Sequence, residues 1–127
     1  MAYVFKKHYS RDEARALLPR IRQWLARIDT LRRQVLQYDK TLSERLAQGE
    51  DLGGDLVNRW VTALSDLKEV LLEFKARQIQ IKDIERGLID FPAIIGGKEV
   101  FLCWEQDEED VEFWHDLESG YAGRERL

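Results

Sequence analysis

The sequence has few of the residues on which enzymes and metal sites most often depend. Its 127 residues include one cysteine, Cys103, and two histidines, His8 and His115. A single cysteine cannot form an internal disulfide, and it cannot supply the paired thiolates of a zinc ribbon or a CxxC redox site. We therefore expect a reducing compartment, the cytoplasm, as the setting of this chain, and we expect no cofactor.

Long apolar segments are absent as well. No run approaches the roughly 18 apolar residues of a transmembrane helix, and the opening residues MAYVFKKH lack the central apolar stretch of a signal peptide. With 44% hydrophobic residues, 35% charged residues and two prolines, the composition excludes both a disordered chain and a membrane protein. The prediction is a single helix-rich globular domain over residues 1–127.

The net charge of −4 conceals two segments of opposite sign. Residues 10–48 contain nine Lys and Arg against five Asp and Glu, whereas residues 88–127 contain three against eleven. Because the acidic segment would repel phosphate, nucleic acid is a disfavoured partner. The two segments are expected to attract each other, within one molecule or between two.

Two amphipathic helices joined by a short loop are predicted before residue 78. Ser10 and Glu13 have the spacing of a capping box, in which each side chain bonds the backbone N–H of the other residue. The glycine-rich residues 49–54 end the first helix, and Asp55 is placed to cap the second. Apolar residues recur in alternating steps of three and four, which is typical of coiled-coil helices that pair as an antiparallel hairpin. The first series is Ala14, Leu17, Ile21, Trp24, Ile28, Leu31, Val35, Tyr38 and Leu42, and the second is Val57, Trp60, Leu64, Leu67, Leu71 and Phe74.

From residue 79 onward the pattern changes to the alternation of β-strands. Residues 79–82, 88–95, 100–104 and 111–114 favour strands, and Gly96-Gly97 offers a two-residue hairpin turn. Residues 3–5 are expected to pair at the sheet edge. We predict an α+β fold, in which a long antiparallel helical hairpin within residues 1–78 precedes a small antiparallel β-meander of three to four strands in residues 79–127. The pattern leaves the end of the second helix open.

Candidate metal ligands lie near the C-terminal histidine. His115 and Asp116 are adjacent, and Glu105 is close in sequence, so the three offer a mixed nitrogen and carboxylate set. Their spacing matches no established metal site. The structural alternative is that His115 forms a hydrogen bond within the end of the sheet, and this alternative is favoured.

Further candidates are an isolated acid, an arginine and three aromatic residues. Asp90 stands within an apolar strand, where it must face solvent or find a donor, and Arg124 is one such donor. We favour an ion pair between them that ties the tail to the sheet over a role for Asp90 as a general base. Trp104, Trp114 and Tyr121 have the chemistry to stack a planar ligand, but such residues are more often core or interface anchors.

The chain resembles a bacterial family of uncharacterised conserved proteins, catalogued as domain of unknown function 2203. The resemblance covers essentially the whole chain, and the matching blocks are YSRDEARALLP at 9–19, GLIDFPA at 87–93, LCW at 102–104, WHD at 114–116 and GYAGR at 120–124. The family pattern often has a glycine-glutamate turn after the LCW strand, whereas an acidic run, 106–110, takes its place here. The resemblance implies a fold and a bacterial cytoplasmic setting, but no activity, cofactor or partner.

Two functions of different classes follow from these features. The leading prediction is a non-enzymatic interaction or scaffold module that forms a homodimer, because a second hairpin would cover the open apolar edges of the first as a four-helix bundle. An unidentified protein is the other partner considered. The alternative is a small-ligand or metal-binding site, including a hydrolytic one, and enzymatic activity is left open with the balance against it. The candidate residues for that site are Asp90, Trp104, Glu105, Trp114, His115, Asp116, Tyr121 and Arg124.

Overall fold

The computed structural model describes residues 2–50 and 53–127, and the described residues form the predicted α+β fold. Residues 51 and 52 of the predicted interhelical loop lie outside the described part. The two helices are α1 (Arg11–Ala47) and α2 (Gly54–Ala76), and the strands are β1 (Gln80–Asp83), β2 (Leu88–Ile95), β3 (Lys98–Glu105), β4 (Phe113–Asp116) and β5 (Glu125–Arg126). A short 3₁₀ turn, Tyr121–Gly123, precedes β5.

The described residues group into two compact units. One comprises the residues up to Gln23 together with Glu73–Leu127, and the other comprises Trp24–Leu72. The first unit therefore contains the beginning of α1, the end of α2 and the whole sheet, whereas the second contains the remaining parts of both helices. The prediction of a single domain stays a prediction.

Within the Trp24–Leu72 unit the helices form the predicted antiparallel hairpin. Arg27 on α1 forms an ion pair with Asp66 on α2, with 3.5 Å between Nη2 and Oδ2. Further along α1, Asp39 accepts a hydrogen bond of 2.7 Å from the indole N–H of Trp60. Because the contact moves backward along α2 as it advances along α1, the helices run in opposite directions.

The buried side of α2 in this unit differs in part from the predicted apolar series. Ala63, which was not in that series, is 4% exposed, whereas the predicted positions Leu64 and Leu71 are 37% and 36% exposed. One residue along a helix corresponds to a rotation of about 100°. The apolar residues of α2 include a second series with the same spacing of three and four, in which Ala63 takes the place of Leu64. This second series is the one that packs against α1.

The start of α1 follows its local sequence signal, whereas the start of α2 differs from the prediction. The Ser10 hydroxyl accepts a 3.1 Å hydrogen bond from the backbone N–H of Glu13, and the Glu13 carboxylate accepts one of 3.1 Å from the backbone N–H of Ser10. The predicted capping box is therefore confirmed. Helix α2 begins at Gly54, so Asp55 lies inside the first turn instead of capping it from outside. Its carboxylate, 3.3 Å from Arg59, still complements the positive end of the helix dipole.

The sheet is an antiparallel meander with the strand order β1-β2-β3-β4-β5. Gly96 and Gly97 form the predicted two-residue turn between β2 and β3, and both have positive φ angles, 57° and 79°. This backbone suits glycine because no side chain opposes it. The sequence analysis missed β5, whose two charged residues pair with Phe113 and Trp114 and carry no alternating pattern.

Residues 3–5 do not form the expected edge strand. The backbone N–H groups of Val4 and Phe5 instead donate hydrogen bonds of 2.8 and 3.0 Å to the carboxylate of Glu99 on β3. The same carboxylate lies 2.7 Å from Nε2 of His8. The Glu99 side chain, and not the backbone of β3, therefore binds the backbone of residues 4 and 5.

The basic start of α1 and the acidic loop after β3 attract each other within one chain. Arg15 donates two hydrogen bonds of 2.8 Å to the Asp110 carboxylate. Arg22 donates to the backbone carbonyls of Gln106 and Glu108, at 2.7 and 2.9 Å. These bonds hold the 106–110 loop against the helix.

Within the described residues, neither helix has an apolar stretch long enough to cross a membrane.

Candidate functional site

The alternation of side chains along β2, β3 and β4 separates the predicted site residues into two faces. Cys103 lies opposite Asp90 on the neighbouring strand, and His115 lies on β4 diagonally across from Cys103. These three side chains share one face of the sheet. Trp104 and Trp114 immediately follow and precede members of this group, so they project from the other face. Of the predicted site residues, Asp90 and His115 therefore lie on one face of the sheet and the two tryptophans on the other, so these four do not line one pocket.

Asp90 and His115 form a buried pair. Nε2 of His115 is 2.9 Å from Oδ2 of Asp90, and the two residues are 3% and 1% exposed. Nδ1 of His115 is 2.7 Å from the backbone carbonyl oxygen of Asp116. Because a carbonyl only accepts, Nδ1 carries a proton. The Nε2–Oδ2 contact then holds one further proton shared by the pair, and His115 has the structural hydrogen bond that the sequence analysis favoured.

Cys103 completes a compact group with this pair. The Cys103 Sγ, a carboxylate oxygen of Asp90 and a ring nitrogen of His115 all lie within 4.8 Å of one another, and all three residues are buried. We call them the Asp90–Cys103–His115 cluster. Burial, followed by the nearby Asp90 charge, raises the pKa of the Cys103 thiol to about 12. The thiol is therefore protonated at neutral pH in the metal-free protein.

One oxygen of the cluster forms no hydrogen bond of good geometry with any residue that the structure describes. Oδ1 of Asp90 is buried, and none of the described residues completes a hydrogen bond to it. The Cys103 thiol interacts with this carboxyl group, but it does not satisfy hydrogen-bond geometry at Oδ1. Burial raises the pKa of Asp90, and its attraction to His115 opposes this change only in part. Buried polar atoms are usually paired, so this oxygen marks an unusual position.

Arg124 ties the C-terminal segment to the sheet, but its partner is not Asp90. Its guanidinium donates to both carboxylate oxygens of Glu108, at 3.0 and 2.8 Å. It also lies 3.9 Å above the Phe113 ring and 4.2 Å above the Tyr121 ring. The favoured Asp90–Arg124 pair was wrong, because the registers of β2 with β3 and of β3 with β4 bring His115 to Asp90. Arg124 still approaches the cluster, with Nη1 4.0 Å from the Cys103 Sγ.

The two acids proposed as metal ligands beside His115 contact other cations. Glu105 accepts hydrogen bonds from Arg86 at 3.0 to 3.2 Å, and a carboxylate oxygen of Asp116 lies 2.8 Å from Nζ of Lys98. Asp116 reaches His115 through its backbone carbonyl and not through its carboxylate. Asp116 also lines a surface depression of about 550 Å³.

Trp104 is a core residue. It is fully buried, its indole N–H donates a 2.9 Å hydrogen bond to the carbonyl of Glu108, and the Arg22 guanidinium lies 4.9 Å from its ring. Tyr121 is 37% exposed and contacts two guanidinium groups, those of Arg86 at 4.3 Å and Arg124 at 4.2 Å. These contacts correspond to the anchoring roles that the sequence analysis favoured over ligand stacking.

Sequence reasoning left Cys103 and Glu108 out of the candidate set. The position of Cys103 opposite Asp90 could nevertheless have been predicted from the Gly96-Gly97 turn. A two-residue turn at these positions sets the register of the hairpin, and counting outward from it places Cys103 opposite Asp90. The role of Glu108 had no comparable signal, because it depends on how a loop and the C-terminal segment meet.

The comparisons with known proteins agree with the resemblance found in the sequence. A family model described as "Uncharacterized conserved protein (DUF2203)" matches residues 7–127. No curated protein and no solved structure matches the chain. The match includes both helices, all five described strands and every residue of the Asp90–Cys103–His115 cluster. The chain therefore belongs to the DUF2203 family of uncharacterized conserved proteins.

Proposed function

We propose that this protein is a non-enzymatic interaction module that self-associates through an apolar stripe on α2. The observation that carries the proposal is the exposure of Val61, Leu64, Leu71 and Leu72, which are 50%, 37%, 36% and 46% exposed. At about 100° per residue, these four side chains fall within an arc about 100° wide. We call them the α2 stripe. An exposed face of this kind, apolar except for Lys68, is typical of a surface that a partner covers.

A second copy of the chain is the partner that fits the α2 stripe. A hairpin of two helices covers one side of each helix only, and a four-helix bundle covers a second side. In a two-fold symmetric arrangement each copy offers the same stripe to the other. Each leucine and valine would then gain an apolar neighbour, which is favourable by about 25 cal/mol for each Å² removed from water.

The charges beside the α2 stripe support an antiparallel arrangement of the two copies. Lys68 lies within the arc of the stripe and Glu69 beside it, and neither has an ion-pair partner among the residues that the structure describes. If two α2 helices cross about the midpoint between Val61 and Leu72, Lys68 of one copy lies opposite Ser65 of the other. Glu69 of that second copy is then one helical turn away. The opposite charges become neighbours twice, once on each side of the symmetry axis.

Sedimentation equilibrium tests the proposal. We expect the unmodified protein to be a dimer at tens of micromolar and the double variant Leu64→Glu/Leu71→Glu to be a monomer with unchanged helix content. The control is Leu36→Glu, since Leu36 is 64% exposed on α1 and lies outside the α2 stripe. A monomeric unmodified protein would overturn the proposal, and so would a dimer that persists in the double variant.

We also propose a reducing, cytoplasmic setting for this protein. The free, buried Cys103 supports this setting.

A further inference from the structure

We propose that the Asp90–Cys103–His115 cluster binds a divalent metal ion of the zinc type, with Cys103 as a thiolate ligand. The donor atoms already lie within 4.8 Å of one another on one face of the sheet. This site is independent of the α2 stripe, and it differs from the set formed by His115, Asp116 and Glu105. Three strands contribute one ligand each, so the sheet register positions the site.

His115 is oriented as a metal-binding histidine is. Its Nδ1–H donates to the carbonyl of Asp116 at 2.7 Å, and this bond directs Nε2 toward Asp90. Histidine ligands commonly donate their second ring N–H to a carbonyl or carboxylate, which sets the ring orientation and increases the basicity of the ligating nitrogen. A neutral His115 therefore offers its Nε2 lone pair to the centre of the cluster.

The unpaired oxygen of Asp90 is the second, independent observation. Asp90 is 1% exposed, and its Oδ1 forms no hydrogen bond of good geometry with the described residues although Oδ2 contacts His115. A carboxylate oxygen that no N–H or O–H group satisfies is a preferred neighbour for a cation. A bound ion would coordinate Oδ1 directly, or it would coordinate Oδ2. In the second case the contact between Oδ2 and Nε2 of His115 would break, and the carboxylate could rotate.

The charges balance when the ion enters. Without metal, the Cys103 thiol is neutral, and Asp90 and His115 share one proton, so the cluster has no net charge. Binding of a divalent ion displaces the thiol proton and the shared proton to solvent. The product contains a thiolate, a carboxylate, a neutral imidazole and the ion, and its net charge is again zero. The buried cluster therefore acquires no uncompensated charge.

The donor set selects the class of metal. Thiolate, imidazole and carboxylate ligands together favour Zn²⁺ and its spectroscopic substitute Co²⁺, whereas Mg²⁺ and Ca²⁺ require oxygen ligands. Three protein ligands leave the fourth position of a tetrahedral ion for water. Arg124, with Nη1 4.0 Å from the Cys103 Sγ, lies where it would donate to the bound thiolate and hold it in place.

Cobalt absorption spectroscopy tests the site directly. The full chain is stripped with a chelator under reducing conditions, refolded from urea to give the ion access to the buried cluster, and titrated with Co²⁺. We expect one ion per chain, with tetrahedral d–d bands and a thiolate-to-cobalt charge-transfer band that Zn²⁺ abolishes. Because Cys103 is the chain's one cysteine, the charge-transfer band reports on this site alone.

Variants separate a metal site from a buried ion pair. We expect Cys103→Ser to remove the charge-transfer band, and Asp90→Asn and His115→Gln each to weaken Co²⁺ binding by more than about tenfold. His8→Gln is the matched control, because His8 also contacts a carboxylate, that of Glu99, at 2.7 Å. Absence of the band in the folded unmodified protein would overturn the proposal even if a variant does not fold. Undiminished binding in folded Asp90→Asn and His115→Gln would also overturn it.

Discussion

His115 and Asp90 are 25 residues apart in the sequence, yet Nε2 of one lies 2.9 Å from Oδ2 of the other with both side chains almost completely buried. The pair connects β4 to β2 across the intervening strand β3. A polar link of this kind is costly to disrupt, because each side chain has been removed from water and depends on the other. It is therefore the first target for measurements of stability.

Replacing His115 by alanine should destabilise the metal-free protein by about 3–5 kcal/mol. The substitution leaves the Asp90 carboxyl group buried without its hydrogen-bond partner, and such losses have this size. Urea unfolding followed by circular dichroism measures the change. His8→Ala is the control, since the His8–Glu99 pair is less deeply buried, and it should cost less. An equal loss in the free energy of unfolding for the two variants would contradict the prediction that the more deeply buried pair contributes more to stability.

The Cys103 thiol should be unreactive in the folded, metal-free protein. Its pKa is raised to about 12, first by burial and then by Asp90, and alkylating reagents attack the thiolate. We expect no labelling by iodoacetamide at mildly alkaline pH and complete labelling after unfolding in urea, as measured by intact mass spectrometry. Rapid labelling under native conditions would show that the β3 thiol is accessible and ionised.

The Asp110 carboxylate should contribute stability that acid removes. Hydrogen bonds from Arg15, and then the backbone N–H of Val111, lower the pKa of Asp110 below its ordinary value of 3.8. The unfolded chain consequently binds the proton more readily, and stability falls as the pH decreases from above 3.8 through the folded pKa. The difference in unfolding free energy between the unmodified protein and Asp110→Asn should shrink over this range.

The control for this pH series is Asp107→Asn in the same acidic loop. Asp107 is exposed and has no ion-pair partner among the described residues. Its replacement should leave the pH dependence of unfolding close to that of the unmodified protein. An acid response that is identical in all three proteins would remove Asp110 as a source of acid sensitivity.

Gly87→Ala should reduce the free energy of unfolding by more than Gly97→Ala, because an added Cβ at position 87 meets a neighbouring side chain and one at position 97 does not. Gly87 has a φ of 65°, and a Cβ at this position would lie 2.6 Å from Cδ of Gln106. Gly97 has a φ of 79° with open space around it, so Gly97→Ala measures the strain, about 1–2 kcal/mol. Thermal or urea unfolding should show a larger loss for Gly87→Ala, and adding Gln106→Gly, which also removes the Gln106 Cβ 2.8 Å from the added Cβ, should recover the excess. If the second substitution recovers nothing, the contact with Gln106 is not its cause.

Much of the secondary structure was predictable because its signals are local. Ser10 and Glu13 bond each other across one turn, and Gly96 and Gly97 adopt positive φ angles that most other residues disfavour. A run rich in β-favouring residues likewise predicted β2 over its full observed length, Leu88–Ile95. In each case the deciding interactions lie within a few residues of one another, so neighbouring positions in the sequence contain the information.

The predicted site was less accurate because its contacts are not local. The predicted partner of Asp90 was Arg124, whereas the structure places His115 beside it. Asp116 and Glu105, close to His115 in the sequence, point their carboxylates toward Lys98 and Arg86. Proximity in the sequence is a poor guide on a strand, since adjacent side chains face opposite sides of the sheet.

The sequence by itself determined two helices, a glycine turn, a meander and the segment in which unusual residues concentrate. Only the tertiary structure decided which apolar row of α2 packs against α1 and which donor meets Asp90. Heptad spacing is satisfied by the row of Ala63 and by the row of Leu64 alike, and several side chains could form a hydrogen bond with one buried acid. Packing against a second element and the register across three strands resolve these choices, because each specifies distances between residues that the chain does not hold close together.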